Sequence, residues 1–165
     1  MKIGIISDTH DNIWRLDEAL LHLQKTDAVL HCGDLISPFI IHRLGKNLGE
    51  IPVHIVWGNN DGDKKMVSQV AGGYPAINIH GDFVELELDG MRIAMNHYPE
   101  IGRALANSAQ YDLVCYGHDH TAHREEVGGT LLLNPGEIMG LNGLSTLAIF
   151  DTQPRKAETI EIWKG

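Results

Sequence analysis

The sequence predicts one layered α/β domain with mixed sheets. Three observations carry that reading. Short apolar runs alternate with helical patterns through the first third, the signature of βαβ units and a parallel sheet. In the second half, Asp89-Gly90 and Gly128-Gly129 each sit between short strand-like runs, the signature of antiparallel hairpins. The length of 165 residues suits a single domain with a full core.

Local chemistry justifies each element in turn. Residues 2–7 form an apolar, β-branched run that reads as a buried strand. Residues 13–23 put Ile13, Trp14, Leu16, Leu20 and Leu23 largely on one helical face, with Asn12 as N-cap. Residues 28–31 read as the second strand. Pro38 suits the first turn of a helix running to about residue 48. Residues 52–57 are the third strand, joined to the others by right-handed crossovers. Residues 84–88 and 91–95 flank Asp89-Gly90, a type I′ turn signal. A short helix follows Pro99 to about residue 108, and residues 112–116 are another strand. Residues 124–127 and 130–133 flank Gly128-Gly129, and residues 146–150 and 158–163 close the domain. The second half is therefore expected to be rich in antiparallel pairs. No repeat or linker divides the chain, so residues 1–165 read as one domain.

Composition narrows the function. Thirteen basic against 22 acidic residues leave a net charge of −9. That balance argues against nucleic-acid and anionic-membrane partners, which need positive fields. Cys32 and Cys115 are the only cysteines, which excludes a disulfide framework and fits a reduced, cytoplasmic setting. No apolar run approaches the ~18 residues of a membrane span. The apolar stretch at residues 3–6 is too short for a secretory signal. Neither a phosphate-binding G-x-x-x-x-G-K-[ST] loop nor a G-x-S-x-G elbow is present. The ten histidines are the unusual number.

Four of them fall at strand ends. The first strand runs into Asp8-Thr9-His10, the second into Gly33-Asp34 and the third into Gly58-Asn59-Asn60-Asp61. The hairpin strand ends at Asn96-His97, and the strand at 112–116 runs into Gly117-His118-Asp119-His120. Sites in open α/β sheets form outside the carboxyl ends of strands. These ends thus deliver Asp8, His10, Asp34, Asn59, His97, His118 and His120 to one edge. If the local chain is extended, each i, i+2 pair points one way. Gly33, Gly58 and Gly117 allow close backbone approach. Mixed carboxylate, amide and imidazole donors suit Mn, Fe, Zn, Co or Ni. Their number exceeds one ion's needs and fits a two-metal site.

In this order the motifs resemble those of the calcineurin-like metallophosphoesterases, whose pattern is D-x-H, G-D, G-N-H-D/E, H and G-H-x-H. Asn134-Pro135-Gly136 resembles a loop common in the small, single-domain prokaryotic members. The resemblance implies a four-layer α/β/β/α sandwich. It implies one ion held by Asp8, His10, Asp34 and His120, and a second held by Asp34, Asn59, His97 and His118, with Asp34 bridging. Manganese leads among the metals, with Ni, Fe, Zn or Co as alternatives. The expected reaction is hydrolysis of a phosphodiester, or of an activated phosphomonoester, by a hydroxide bridging the two ions. The substrate is expected to be small. Two positions depart from the pattern. Asn60 replaces a histidine and cannot supply a proton, although it can orient a phosphate oxygen. Its presence favours good leaving groups. His97 is followed by Tyr98-Pro99 where Gly-His is common.

Asp61 reads either as a buttress that fixes a histidine tautomer or as a solvated turn carboxylate. His31 reads as a satisfied core histidine, and Cys32 as small filler open to oxidation by a redox-active metal. His22, His42, His54, His80 and His123 are expected on surfaces or element ends, and Glu137 lies in reach of the rim. The competing readings are a nuclease, a single-metal hydrolase of a non-phosphate ester, and a non-catalytic scaffold like the retromer subunit of the same fold.

Overall fold

Two mixed sheets pack face to face, and helices cover both outer surfaces. The computed structural model describes residues 1–165. The first sheet contains β1 (Lys2–Ile6), β2 (Ala28–His31), β3 (Val53–Ile55) and β4 (Ile77–Ile79), together with β10 (Leu144–Asp151) and β11 (Lys156–Lys164). The second contains β5 (Phe83–Leu88), β6 (Met91–Asn96), β7 (Leu113–Cys115), β8 (His123–Val127) and β9 (Thr130–Asn134). Helices α1 (Ile13–Leu23), α2 (Pro38–Leu48) and α3 (Lys64–Ala71) cover the first sheet, and α4 (Pro99–Asn107) covers the second. This is the α/β/β/α sandwich that the motifs implied.

The continuous apolar runs have a simple cause. Central strands bury both faces, so alternate residues enter different cores. Val29 packs under the helices of the first sheet and Leu30 between the sheets. Ile93, Leu113 and Leu131 face the inter-sheet core, whereas Ala94, Val114 and Leu132 face α4. Both hairpin turns are as expected, with positive φ at Asp89, Gly90, Gly128 and Gly129.

The second half is rich in antiparallel pairs as expected, β5 with β6, β8 with β9 and β10 with β11, while β6, β7 and β9 at its centre run parallel to one another. In the first sheet, β10 lies antiparallel beside β1. Turn residues identify a hairpin but not the strand on which it docks. Residues 62–80, to which the sequence pattern assigns no element, contain α3 and β4. Asp63 caps α3 by accepting from the Met66 N–H at 2.9 Å. β4 has three residues, too few for its periodicity to stand out. No helix is long and apolar enough to cross a membrane.

The parallel set β1, β2 and β3 and the parallel pair β6 and β7 end at the same edge, since loops from both sheets meet there: the His118 N–H donates to Asp8 Oδ2 at 3.0 Å, and His97 Nδ1 donates to the Cys32 carbonyl at 2.8 Å.

Candidate metal centre

The loops at this edge are left-handed rather than extended. Asp8, His10, Asp11, Asp34, Ile36, His118 and His120 all have positive φ, seven of the ten such non-glycine residues in the chain. Each costs free energy and persists only where its surroundings hold it. Here backbone hydrogen bonds do so: the His10 N–H donates to the Asp34 carbonyl at 3.0 Å. Although the chain is not extended here, Asp8 and His10 still bring their ligand atoms together, whereas the second pair is corrected. His118 and His120 diverge, the first toward Asn59 and the second toward Glu137.

All seven predicted ligands nevertheless converge. Ligand atoms of Asp8, His10 and His120 lie within 4.8 Å of one another, as do those of Asp8, Asp34 and His97. Asp34 Oδ2 stands between two rings, 3.4 Å from His10 Nε2 and 3.5 Å from His97 Nε2. Asn59 Oδ1 lies 3.0 Å from His97 Nε2 and 2.8 Å from His118 Nδ1.

The donor set fits divalent ions. His97 Nδ1 donates to the Cys32 carbonyl at 2.8 Å, which aims the Nε2 lone pair at the Asp34 and Asn59 oxygens. His120 Nδ1 meets Glu137 Oε2 at 2.6 Å, which leaves Nε2 facing Asp8 at 3.4 Å. Lone pairs directed at carboxylate oxygens need a cation between them. Asp8 Oδ1 and His10 Nε2 are buried without a hydrogen-bond partner, a costly state unless something charged completes them. Protons respond to the same field. Burial raises the Asp8 pKa, but His10, Ser7, His97 and His120 outweigh it and hold the carboxyl below its usual value. Asp34 is also held low, because His97 and the Asn60 amides overcome burial. Asp8 holds His10 above the ordinary imidazole value, and Asp34 does the same for His97 against its burial.

Two glycines make room for these side chains. A Cβ on Gly58 would lie 2.1 Å from Asp34 Oδ1, and one on Gly117 would lie 1.9 Å from Ser7 Oγ and 2.6 Å from Asp8 Oδ2. Any side chain there would displace a candidate ligand.

Asp61 fills neither expected role. It is buried, and no histidine touches it. Its Oδ2 accepts from Asp34 N and Gly58 N at 3.1 and 2.6 Å, and its Oδ1 from Leu35 N and Ile36 N at 2.8 and 2.9 Å. It clamps the β2 loop to the β3 loop. Asn60 also turns inward. Its backbone N–H donates to Asp34 Oδ1 and its Nδ2 to Asp34 Oδ2, both at 2.8 Å. The amide expected on phosphate is thus engaged with Asp34.

Glu137 is more than a rim residue. It is buried, and Oε1 accepts from the Asn142 N–H at 2.8 Å while Oε2 holds His120. The sequence signal was its place after Asn134-Pro135-Gly136. Asn134 Nδ2 donates to the Gly117 carbonyl at 3.1 Å and to Asp119 Oδ1 at 2.7 Å, which docks that loop against the histidine loop. Tyr98 packs against both His97 and His118, with ring centroids 5.3 and 5.2 Å away.

His31 is the satisfied core histidine expected. Its Nδ1 accepts from the Gly33 N–H at 3.2 Å, so Nε2 donates to Thr9 Oγ1 at 2.7 Å, and burial lowers its pKa to about 4. His54 and His80 pair at 2.9 Å, away from the cluster, with His54 in the middle of β3 rather than at an end. Cys32 is enclosed beside Cys115, and burial pushes its thiol well above the usual value, so it is not a reactive group.

Residues 1–155 match the calcineurin-like phosphoesterase superfamily domain. The chain belongs to that superfamily. A phosphodiesterase of Methanocaldococcus jannaschii is 35% identical over 167 residues, covering 97% of this chain and 98% of the relative. A protein named a probable metallophosphoesterase, YsnB of Bacillus subtilis, is 31% identical over 143 residues, or 84% of this chain and 75% of that one. Among solved structures, a novel archaeal phosphodiesterase superposes with a TM-score of 0.90 at 34% identity, covering 98% of this chain and 99% of that chain. Zinc-bound Vps29 of Entamoeba histolytica shares the fold, with a TM-score of 0.69 at 18% identity over 98% of this chain and 99% of that one. The small, single-domain metallophosphoesterases are the relatives this chain resembles.

Proposed function

We propose that this metallophosphoesterase hydrolyses small phosphodiesters, or phosphomonoesters with good leaving groups, at a dinuclear metal centre. The observation that carries this reading is the pair of ligand clusters at one edge, with Asp8 Oδ1 and His10 Nε2 buried and unpaired. Asp8, His10, Asp34 and His120 would hold one ion, and Asp34, Asn59, His97 and His118 the other, with Asp34 shared between them. Manganese is the foremost candidate, with Ni, Fe, Zn or Co as alternatives. When bound, the two ions supply Lewis acidity toward phosphoryl oxygens and acidify a water at neutral pH.

The chain's own groups do the positioning. Cys32 and Glu137 set the His97 and His120 rings. Asn60 grips both Asp34 oxygens, and Asp61 holds the loops that carry them. Their roles are to shape the site, and neither supplies a proton to a leaving group. Substrates with good leaving groups follow from that. Asn59, Asn60 and His118 are exposed, so the site is open to a small substrate in solution. Two buried free thiols support a cytoplasmic location. The convergence of Asp8, His10, Asp34, His97 and His120 supports an enzyme over a scaffold. A nuclease needs a basic track, which a net charge of −9 does not favour.

The test is metal reconstitution followed by elemental analysis and a panel of mono-, di- and cyclic nucleotide esters. Two ions per chain and diester turnover are expected. Asp34→Asn is expected to lose both, and near-wild-type turnover in that variant with both ions retained overturns the proposal. One ion per chain favours the single-metal hydrolase, and no metal with no turnover favours the scaffold.

A further inference from the structure

Tyr98 stands where the family pattern has glycine, so this chain places a ring where its relatives' motif has no side chain. The ring centroid lies 5.3 Å from that of His97 and 5.2 Å from that of His118, and the two histidine rings are 5.1 Å apart. The three rings therefore form a closed triangle, with every side in the roughly 4.5–7 Å range of aromatic contact. The Tyr98 plane is turned 77° from His97 and 59° from His118, the edge-on and tilted arrangements that ring charge distributions favour.

The backbone beneath that ring is fixed. Pro99 begins α4 and restricts Tyr98 to extended backbone, at φ −94° and ψ 135°. The Tyr98 N–H donates to Asn96 Oδ1 at 2.8 Å, and the Tyr98 carbonyl accepts from the Gly102 N–H at 2.9 Å. The ring is thus carried by the end of β6 and the first turn of α4.

The candidate ligands differ in what holds them. His97 is set by the Cys32 carbonyl and His120 by Glu137. His118 has no such backing. It is exposed, and its side chain meets only Asn59 Oδ1 at 2.8 Å and His97 Nε2 at 3.3 Å, both through Nδ1. Those two atoms are candidate ligand atoms themselves, so they cannot buttress the ring while serving an ion. An imidazole free to turn loses rotamer freedom when it binds, whereas one packed in place beforehand has already lost it.

We infer that Tyr98 is a positioning residue for the ion on the Asn59 side: its ring holds His118 against His97 and takes the place of the hydrogen-bond acceptor that His118 lacks. The inference rests on the two-ion reading. The ring makes the contacts and the hydroxyl takes part in no hydrogen bond, so phenylalanine serves in its place and alanine does not. Tyr98 is half-buried and precedes α4 without a side-chain cap, so replacing it leaves the helix and the core in place.

The test is chelator titration of the manganese-reconstituted full chain, followed by elemental analysis. Wild type is expected to release two ions in two phases. In Tyr98→Ala the earlier phase is expected to weaken by about 10-fold and the later phase to stay in place. In Tyr98→Phe both phases are expected within about 2-fold of wild type. A second readout uses the zinc-loaded protein, in which the Tyr98 ring current is expected to shift the His118 ring protons upfield. Tyr98→Ala removes that shift and Tyr98→Phe keeps it. Unchanged phases in Tyr98→Ala overturn the inference and leave the two-ion reading standing. So does a Tyr98→Phe variant as weak as Tyr98→Ala, since the hydroxyl then acts. Equal weakening of both phases together with a lower urea midpoint also overturns it, since the ring is then part of the general scaffold. Release of one ion per chain in a single phase by wild type overturns the two-ion reading itself, and the inference with it.

Discussion

The two halves of the candidate metal centre are built differently. On the His10 side, Asp8 is fully buried, His10 and His120 are 16% exposed, and the buried Glu137 backs His120. On the Asn59 side, the neutral amide and His118 are exposed, and only His97 is fully enclosed. Burial raises the strength of charge–ligand interactions, and a backing carboxylate raises the basicity of its histidine. The difference teaches that one position is expected to hold its ion tightly and the other to exchange it. Asp34 Oδ2 lies between the two, 3.4 Å from His10 Nε2 and 3.5 Å from His97 Nε2.

The largest effect is expected from the shared residue. Asp34→Asn removes the charge that both halves use, and diester turnover is expected to fall at least about 10³-fold. Elemental analysis should find both ions depleted. Loss of one ion alone would break the symmetry assigned to Asp34.

The next effect separates the halves. In wild type, chelator titration is expected to remove the ions in two phases, the Asn59 side first. Glu137→Gln keeps the shape but loses the charge behind His120, which is expected to weaken the tighter site by about 10–100-fold. The two phases then approach each other. Asn59→Ala acts on the weaker phase and should leave the tighter one in place. If Glu137→Gln weakens the exposed phase instead, the comparison is inverted.

A smaller effect concerns the scaffold beneath both halves. Asp61→Ala leaves four backbone donors without their acceptor. A cost of about 2–4 kcal/mol is expected in the metal-free protein by urea unfolding. Metal content should fall in both halves together, because Asp61 holds the Asp34 loop against the Asn59 loop.

The smallest effect is in proton uptake, and it divides the histidines. In the metal-free protein, His10 and His97 have raised values, so they stabilise the fold below about pH 6.5 and that contribution is lost as pH rises through the folded values. His31 and His54 are lowered to about 4, so their contribution is present above pH 6.5 and lost as pH falls toward 4. Imidazole NMR titration should show the first pair titrating above the ordinary value and the second pair below it. Metal loading should abolish titration of His10 and His97 and leave His31 unchanged. Titration of His97 unchanged by metal would remove it from the ligand set.

Much of this arrangement is legible in the chain itself. Each ligand is announced by a strand that ends in polar residues, with a glycine directly before Asp34, Asn59 and His118, and that pattern is local. Residues that act through longer paths are not announced. Glu137 reaches His120 across 17 residues, and Asp61 reaches Leu35 across 26, so their partners depend on where loops land. Asn60 could be recognised as a departure from the family pattern, but not as a residue turned toward Asp34. The helix α3 is eight residues long and was hidden by its flanking glycines and charges.

The sequence alone determined the elements of the central strands, the two hairpin turns, the seven candidate ligands and the family. These depend on periodicity, turn chemistry and motif order, which are read over a few residues at a time. Only the tertiary structure decided that β6, β7 and β9 run parallel, that the His118 and His120 pair diverges, and that Asp61 holds backbone while Glu137 holds a histidine. The reason is physical. Strand partners, left-handed loops and buried carboxylates are selected by contacts between segments far apart in the chain, and those contacts exist only after the two sheets have packed.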